Sequence, residues 1–239
     1  MKIAICDSRM PKDSLKELKK YADEVVLLPP FEGIDKPVSA HPDMLLFPCR
    51  EKGIILTHRE YLENAKELLS FTGMKIIPIP EKAGAKYPND ILLNAAILGK
   101  YLIGKISALS KALLELSDEM GLIKVSVNQG YAKCSICKVS ENAIITSDRS
   151  ISSAAKAFGI DVLDIAQNGV YLEGYNCGFI GGASGNDGKN VFFCGDISLH
   201  PNGKEITRFC EKHGKNAVSL SKSPLIDVGT IFFVEMGNS

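Results

Sequence analysis

The sequence predicts an α/β protein built from five copies of one strand-strand-helix-strand unit, with the fifth copy divided between the two chain ends. Short apolar runs, each headed by a carboxylate or a cysteine, recur 43 to 50 residues apart, a spacing typical of repeat arrays and propellers. A glycine precedes the third predicted strand in four of the units, and the two ends complement each other. The five heads are Asp43, Asp90, Cys134, Cys177 and Asp227.

The first unit, over residues 43–80, sets the pattern. Residues 44–47 form an apolar run of strand length, residues 50–53 form a turn, and residues 54–56 form a second strand. Thr57 is predicted to cap a helix whose apolar residues recur at spacings of three and four. Gly73 ends this helix, and residues 74–79 form a third strand, for which Pro78 favours a sheet edge.

Three further units repeat this order over residues 90–127, 134–165 and 177–220. Each has two apolar runs, an amphipathic helix and a third apolar run. The glycines that end the four helices are Gly73, Gly121, Gly159 and Gly214. A helix often ends in a left-handed residue, which glycine adopts without steric cost, so four glycines in phase indicate a true repeat.

The fifth unit combines residues 227–239 with residues 1–28. Asp227 heads a first strand through residue 234, residues 2–6 form the second strand, a helix covers Leu15 and Leu18, and residues 25–28 form the third strand. We expect the terminal strands to pair and to close a ring, because closure removes exposed sheet edges. The whole chain, 1–239, is therefore expected to form a single domain.

Composition excludes several classes of function. The chain has 28 basic and 28 acidic residues, so no net field draws it to nucleic acid or to an anionic membrane. It contains no apolar run of about 18 residues that could span a bilayer. Seven irregularly spaced cysteines and no signal peptide predict a reduced, cytoplasmic protein. A homodimer is compatible with the sequence.

Five such units joined through the termini resemble the pentein fold, a five-bladed α/β propeller. The fold is shared by arginine deiminase, dimethylarginine hydrolases and glycine amidinotransferase. The resemblance implies that the first strand of each unit lines a central channel and that the active residues lie at the strand heads and in the loops before them. Carried over by position, the loops would add His41, Asn89, Lys133, Tyr175 and Asn176 to the five heads.

This set of side chains suits guanidine chemistry. A thiolate attacks an amidine carbon, and carboxylates hold a guanidinium through paired, charge-assisted hydrogen bonds. His41-Pro42-Asp43 resembles the His-x-Asp of the guanidine-modifying penteins, in which a cysteine forms a covalent thiouronium intermediate. The resemblance implies Cys134 or Cys177 as nucleophile and His41 as acid and base. Asp43, Asp90, Asn89 and Asp227 would bind a small guanidine or amidine in the central channel, with no cofactor and no metal.

The arrangement departs from those enzymes, which place the His-x-Asp in mid-chain and the cysteine in the last repeat. Here the assignment is rotated: His41 lies in the first repeat, and Cys134 lies two repeats onward. A second reading therefore stays open, in which the cysteines are inert core residues and the protein is a non-catalytic pentein, a ligand-binding or interaction module. The C-x-x-C at 134–137 is interpreted as neither a zinc nor a redox site, since strand residues three apart point to opposite faces.

Overall fold

A computed structural model describes residues 1–235 of the 239-residue chain. Residues 236–239, which the sequence assigns to the fifth unit, lie outside the described residues. The α-helices are α1 (Lys12–Leu18), α2 (Pro42–Leu45), α3 (Leu62–Leu69), α4 (Lys111–Glu119), α5 (Ala132–Ser135), α6 (Arg149–Ala157) and α7 (Gly203–Lys212). None of the helices within 1–235 is long and apolar enough to span a bilayer.

The strands are short, with two to six residues each. They are β1 (Lys2–Asp7), β2 (Glu24–Leu28), β3 (Leu46–Cys49), β4 (Ile54–Thr57), β5 (Lys75–Pro78), β6 (Ala96–Leu98), β7 (Tyr101–Gly104), β8 (Ile123–Ser126), β9 (Cys137–Ser140), β10 (Ala143–Thr146), β11 (Asp161–Asp164), β12 (Val170–Tyr171), β13 (Ser184–Asn186), β14 (Asn190–Phe193), β15 (Asn216–Ser219), β16 (Leu225–Ile226) and β17 (Phe232–Glu235).

Five three-stranded sheets share one topology. Their strand orders are β3-β4-β5, β6-β7-β8, β9-β10-β11, β13-β14-β15 and β17-β1-β2. In each sheet the middle strand runs antiparallel to the first and parallel to the third. The parallel connection needs a crossover, which the helix of each unit supplies. The mixed α/β pattern read from the sequence is therefore present in all five sheets.

The fifth sheet joins the two ends of the described chain, as the sequence predicts. Strand β17 pairs antiparallel with β1, with Glu235 opposite Lys2 and Phe232 opposite Ile5. On its other side β1 pairs parallel with β2. Because β1 is paired on both sides, neither of its edges is exposed.

The glycines predicted to end helices have the expected backbone geometry. Gly73, Gly121, Gly159 and Gly214 have φ of 73°, 67°, 77° and 68°, in the left-handed region. Pro78 lies in β5, at the edge of its sheet, where its missing N–H costs no ladder hydrogen bond.

The apolar core is divided among the junctions between sheets. One buried cluster joins the sheet of β3 to that of β6, through residues such as Phe47 and Leu92. Similar clusters join the sheet of β6 to that of β9, that of β9 to that of β13, and that of β13 to that of β17. The remaining cluster joins the terminal sheet to the first one, with Ile5 and Leu46 among its members. Each sheet thus buries apolar side chains against two others.

The prediction that the five head residues begin strands is wrong. Asp43 lies in the single turn α2, which Pro42 begins, because the fixed φ of proline suits the first helical position. Cys134 lies in the single turn α5, and the strand begins only at Cys137. Periodicity alone does not separate a short apolar strand from a buried helical turn, which explains both errors.

The apolar runs that follow Asp90, Cys177 and Asp227 are also not strands at their heads. The strands begin later, at Ala96, Ser184 and Phe232. In the run after Cys177, glycines bring backbone close to its neighbours, so that an added Cβ at Gly181 would lie 2.5 Å from the Cys134 carbonyl oxygen. The two-stranded parallel sheet of β12 and β16 was not predicted from the sequence.

Candidate active site

Four predicted side chains from three separate segments meet in one buried cluster, which we call the Cys134 cluster: His41, Asp43, Cys134 and Asp227. Their exposed fractions are 2%, 1%, 3% and 4%, respectively. Helix α2 holds His41 at its N-cap and Asp43 in its first turn. The Asp43 amide donates to the Gly229 carbonyl oxygen at 3.0 Å, which ties this turn to the segment that contains Asp227.

His41 lies between two carboxylates. Its Nδ1 is 3.8 Å from Asp227 Oδ1, and its Nε2 is 3.8 Å from Asp7 Oδ2. Asp7 is buried at the end of β1 and forms a 2.6 Å ion pair with Arg9. Asp7 is not among the predicted site residues, although a carboxylate that ends an apolar strand is a visible signal in the sequence.

Asp227 is anchored by backbone amides and by glycines. Its Oδ2 accepts from the Phe179 N–H at 2.8 Å, and its Oδ1 accepts from the Gly229 N–H at 3.0 Å. A Cβ on Gly182 would lie 2.0 Å from Asp227 Oδ1, so only glycine leaves room for this carboxylate. Burial raises the pKa of Asp227, His41 opposes that rise, and the charge of Asp43 adds to it. The glycine-rich stretch after Cys177 therefore shapes a carboxylate site.

Asn94 is the direct neighbour of the Cys134 thiol. Its Nδ2 lies 3.1 Å from Cys134 Sγ and also donates to the Asp43 carbonyl oxygen at 3.1 Å. Its Oδ1 accepts from the Lys133 N–H at 2.7 Å. Asn94 is fully buried. Sequence reasoning passed over it, although it is the polar residue in the apolar stretch 91–98.

The surroundings of Cys134 disfavour its thiolate. Burial raises its pKa well above the ordinary value, and the charges of Asp43 and Asp227 raise it further, while the hydrogen bond from Asn94 acts in the opposite direction. A thiolate at this position therefore needs a positive charge nearby.

Thr230 and Lys133 lie next to Asp43. The Thr230 hydroxyl is 2.7 Å from Asp43 Oδ2, and the Lys133 ammonium donates to that hydroxyl at 3.1 Å. Burial lowers the pKa of Lys133. Lys133 was predicted to lie in a loop before a strand head, and Thr230 is not among the predicted site residues.

Asp90 belongs to a neighbouring aromatic cluster. Its Oδ2 accepts from the Tyr131 hydroxyl at 2.6 Å, while its buried Oδ1 has no hydrogen-bond partner. Tyr131 stacks on Phe179, with ring centroids 6.2 Å apart. Burial raises the pKa of Tyr131, and Asp90, Tyr175 and Cys134 add to the rise, so this cluster adjoins the thiol.

The remaining predicted site residues form no hydrogen bond with the Cys134 cluster within residues 1–235, although Cys177 lies two residues before Phe179, whose N–H binds Asp227. Cys177 is half-buried, and among residues 1–235 no hydrogen bond reaches its thiol. Asn89 and Asn176 are exposed, and Tyr175 donates its hydroxyl to Asp35 at 3.1 Å. Within 1–235, no three His, Cys, Asp or Glu side chains are grouped so that they could hold a metal ion.

A cavity of about 150 Å³ adjoins the cluster. It is lined by residues of β3, β6, β9, β13 and β17, the first strands of all five three-stranded sheets, and Lys133 and Thr230 also line it. Its lining includes the charged side chains of Arg50, Glu51, Lys138 and Glu141. Cys134 is not part of the lining.

Solved structures of guanidine-modifying enzymes share this fold. DDAH from Pseudomonas aeruginosa, a cysteine-to-serine mutant complexed with citrulline, is 13% identical with a TM-score of 0.55, over 92% of this chain and 91% of that one. Agmatine deiminase from C. jejuni, a cysteine-to-serine variant with substrate bound, is 11% identical with a TM-score of 0.55, over 92% and 87%. SxtG, an amidinotransferase from Microseira wollei, is 12% identical with a TM-score of 0.51, over 92% and 88%.

These similarities confirm the resemblance to penteins, and at such low identity they show the fold alone. Curated proteins offer no sequence match to this chain. The model of a family of unknown function, DUF6873, matches residues 5–232, so the chain belongs to that family.

Proposed function

We propose that this protein is a cysteine-dependent hydrolase or transferase that acts on a small guanidine or amidine. Cys134 is the nucleophile, His41 is the acid and base, and Asp43 and Asp227 hold the cationic group. The observation that supports it is the meeting of one thiol, one imidazole and two carboxylates, each at most 4% exposed. Cys177, the rival nucleophile, contacts no member of this group through a hydrogen bond within 1–235.

The charges of the cluster favour a cationic substrate. Two carboxylates raise the pKa of the Cys134 thiol, and burial raises the pKa of Asp227. A guanidinium or amidinium between them would offset their charge and so would stabilise the thiolate that must attack it. Lys133 already brings one positive charge near Cys134, yet the pKa of the thiol stays raised, and a bound cationic substrate would add a second positive charge.

The proposed reaction has two steps. His41 takes the proton of the Cys134 thiol, the sulfur bonds to the amidine carbon, and the carbon–nitrogen bond to the leaving amine breaks as His41 donates that proton to the nitrogen. This leaves a thiouronium on Cys134. In a hydrolase, water then adds to the same carbon and gives a proton to His41, the sulfur–carbon bond breaks, and His41 returns that proton to the Cys134 sulfur. In a transferase, an amine takes the place of water.

Asp90 and Tyr131 would contact the remainder of the substrate. The unpartnered Asp90 Oδ1 is a free acceptor next to the aromatic faces of Tyr131 and Phe179. An acidic group beside aromatic rings favours an apolar chain with a cationic end. Asn89 precedes Asp90 and is exposed, which suits a contact at the mouth of the site.

The wider setting of this proposal is a closed, five-bladed propeller with the substrate in its central channel. The apolar clusters that join each sheet to the next support the ring. The cavity lined by all five first strands supports a central channel, which borders the Cys134 cluster at Lys133 and Thr230. Cysteine-to-serine mutants were used for the ligand complexes of DDAH and agmatine deiminase, which supports a cysteine as the reacting group. All seven cysteines are unpaired, which suits the cytoplasm.

One observation favours the alternative, a non-catalytic ligand-binding pentein. The Cys134 thiol is buried and its pKa is raised, as expected for an inert core cysteine. In that case Asp43 and Asp227 would still bind a cation, but the thiol would not react with it.

Alkylation with a matched pair of reagents distinguishes the catalytic proposal from the non-catalytic alternative. Chloroacetamidine is cationic, and chloroacetamide is a neutral molecule of the same shape; in both, the thiolate displaces chloride and forms a sulfur–carbon bond. We expect chloroacetamidine to modify Cys134 at least about 10-fold faster, by peptide mass mapping, in wild type and in Cys177→Ala but not in Cys134→Ala. Release of ammonia or a ureido product from a panel of guanidines, including arginine derivatives and guanidinoalkylamines, should follow the same pattern. Equal rates for the two reagents, or activity that survives in Cys134→Ala, would contradict the assignment.

A further inference from the structure

Thr230 has an unusual backbone conformation beside the Cys134 cluster. Its φ is 68°, and within residues 1–235 no other non-glycine residue has a positive φ. This region is costly for a β-branched residue, and such strain persists only where the surroundings enforce it. Glycine would adopt the same backbone without cost. The presence of threonine therefore calls for a role of its side chain.

The Thr230 hydroxyl links a cation to a carboxylate. It lies 3.1 Å from Lys133 Nζ, 2.7 Å from Asp43 Oδ2 and 3.1 Å from the Gly181 carbonyl oxygen. An ammonium only donates, so the hydroxyl accepts from Lys133 and has one proton left to donate. The shorter contact, to a carboxylate, is the one that a charge-assisted hydrogen bond favours.

This link determines which Asp43 oxygen is available. Oδ2 is occupied by Thr230, whereas the buried Oδ1 has no hydrogen-bond partner. Oδ1 is therefore the atom left to face the thiol or a bound cation. Lys133 also brings a positive charge close to both Asp43 and Cys134.

We propose that Thr230 is a positioning residue, which connects Lys133 to Asp43 and so orients the free Asp43 oxygen toward the cationic group of the substrate. This role rests on the proposed function, because it requires that Asp43 clamps an amidinium next to Cys134. It explains why a strained threonine stands where glycine would fit the backbone.

Three substitutions at one position test this role. Thr230→Val keeps the shape but removes the hydroxyl, Thr230→Ser keeps the hydroxyl, and Thr230→Gly removes both the hydroxyl and the backbone strain. The measurements are the ratio of Cys134 alkylation rates with chloroacetamidine and chloroacetamide, and the melting temperature of each variant.

We expect the rate ratio to fall about 10-fold or more in Thr230→Val and Thr230→Gly and to stay within about 3-fold of wild type in Thr230→Ser. Thr230→Gly should lose the ratio while it keeps or raises the melting temperature, which a purely structural role would not produce. A wild-type ratio that survives in Thr230→Val would overturn the positioning role alone. A ratio near one in wild type would overturn the proposed function and this role with it.

Discussion

Asp43→Asn should change the reactivity of Cys134 in opposite directions for neutral and cationic reagents. Asp43 is buried, its Oδ2 accepts from Thr230 at 2.7 Å, and its Oδ1 has no partner. Asparagine can keep the Thr230 hydrogen bond through its oxygen and place its amide nitrogen at the unpartnered position. The substitution thus removes one negative charge from beside the thiol with little other change.

The magnitude follows from the charge that is lost. The Asp43 carboxylate adds to the raised pKa of Cys134, because a like charge nearby disfavours the thiolate. We therefore expect the midpoint of chloroacetamide alkylation against pH to move to lower pH. At pH 8, each pH unit of that shift should accelerate the reaction about 3-fold, because a tenfold gain in thiolate is partly offset by its lower nucleophilicity.

The cationic reagent should respond in the opposite way. Without the carboxylate, chloroacetamidine loses a charge-assisted hydrogen bond, and we expect its reaction to slow about 10-fold. Stopped samples analysed by mass spectrometry, with modification mapped to Cys134, give both rates. Asp164→Asn is the control, since Asp164 pairs with Lys156 at the surface. An unchanged midpoint in Asp43→Asn would refute the claim that this carboxylate acts on the thiol.

Two further predictions concern buried groups. His58 is fully buried, with Nε2 2.8 Å from the Met44 carbonyl oxygen, and burial lowers its pKa. Because the unfolded chain takes up a proton near pH 6.5 and the folded chain resists it, the free energy of unfolding should fall from pH 7 to pH 5, and less so in His58→Gln. Urea titrations at both pH values measure this, and an equal fall in the variant would contradict it. Gly182→Ala should lower stability by about 1–3 kcal/mol and abolish the preference for chloroacetamidine, because its Cβ would displace Asp227. Gly121→Ala, whose Cβ meets nothing within 4 Å, should keep that preference, and its loss there would count against the argument.

The repeat could be predicted from the sequence because the glycines and apolar runs that mark it depend only on local backbone structure. Each glycine at 73, 121, 159 and 214 reports a left-handed backbone position that one residue type favours, and four of them in phase identify the unit. The apolar runs also located the third strands. The first strands were placed too early, since Asp43 and Cys134 lie in single helical turns before them. Those turns are too short to show a helical period.

The sequence by itself determined the α/β repeat, the pairing of the two ends and the types of side chain that the heads present. The tertiary structure decided which heads meet: Asp43, Cys134 and Asp227 lie together with His41, and the segment that follows Cys177 binds Asp227 through the Phe179 N–H. It also brought in Asn94 and Thr230, which lie 40 positions from Cys134 and 187 positions from Asp43 in the chain. Contacts at such separations depend on how the sheets pack around the centre, and no local pattern of residues encodes them.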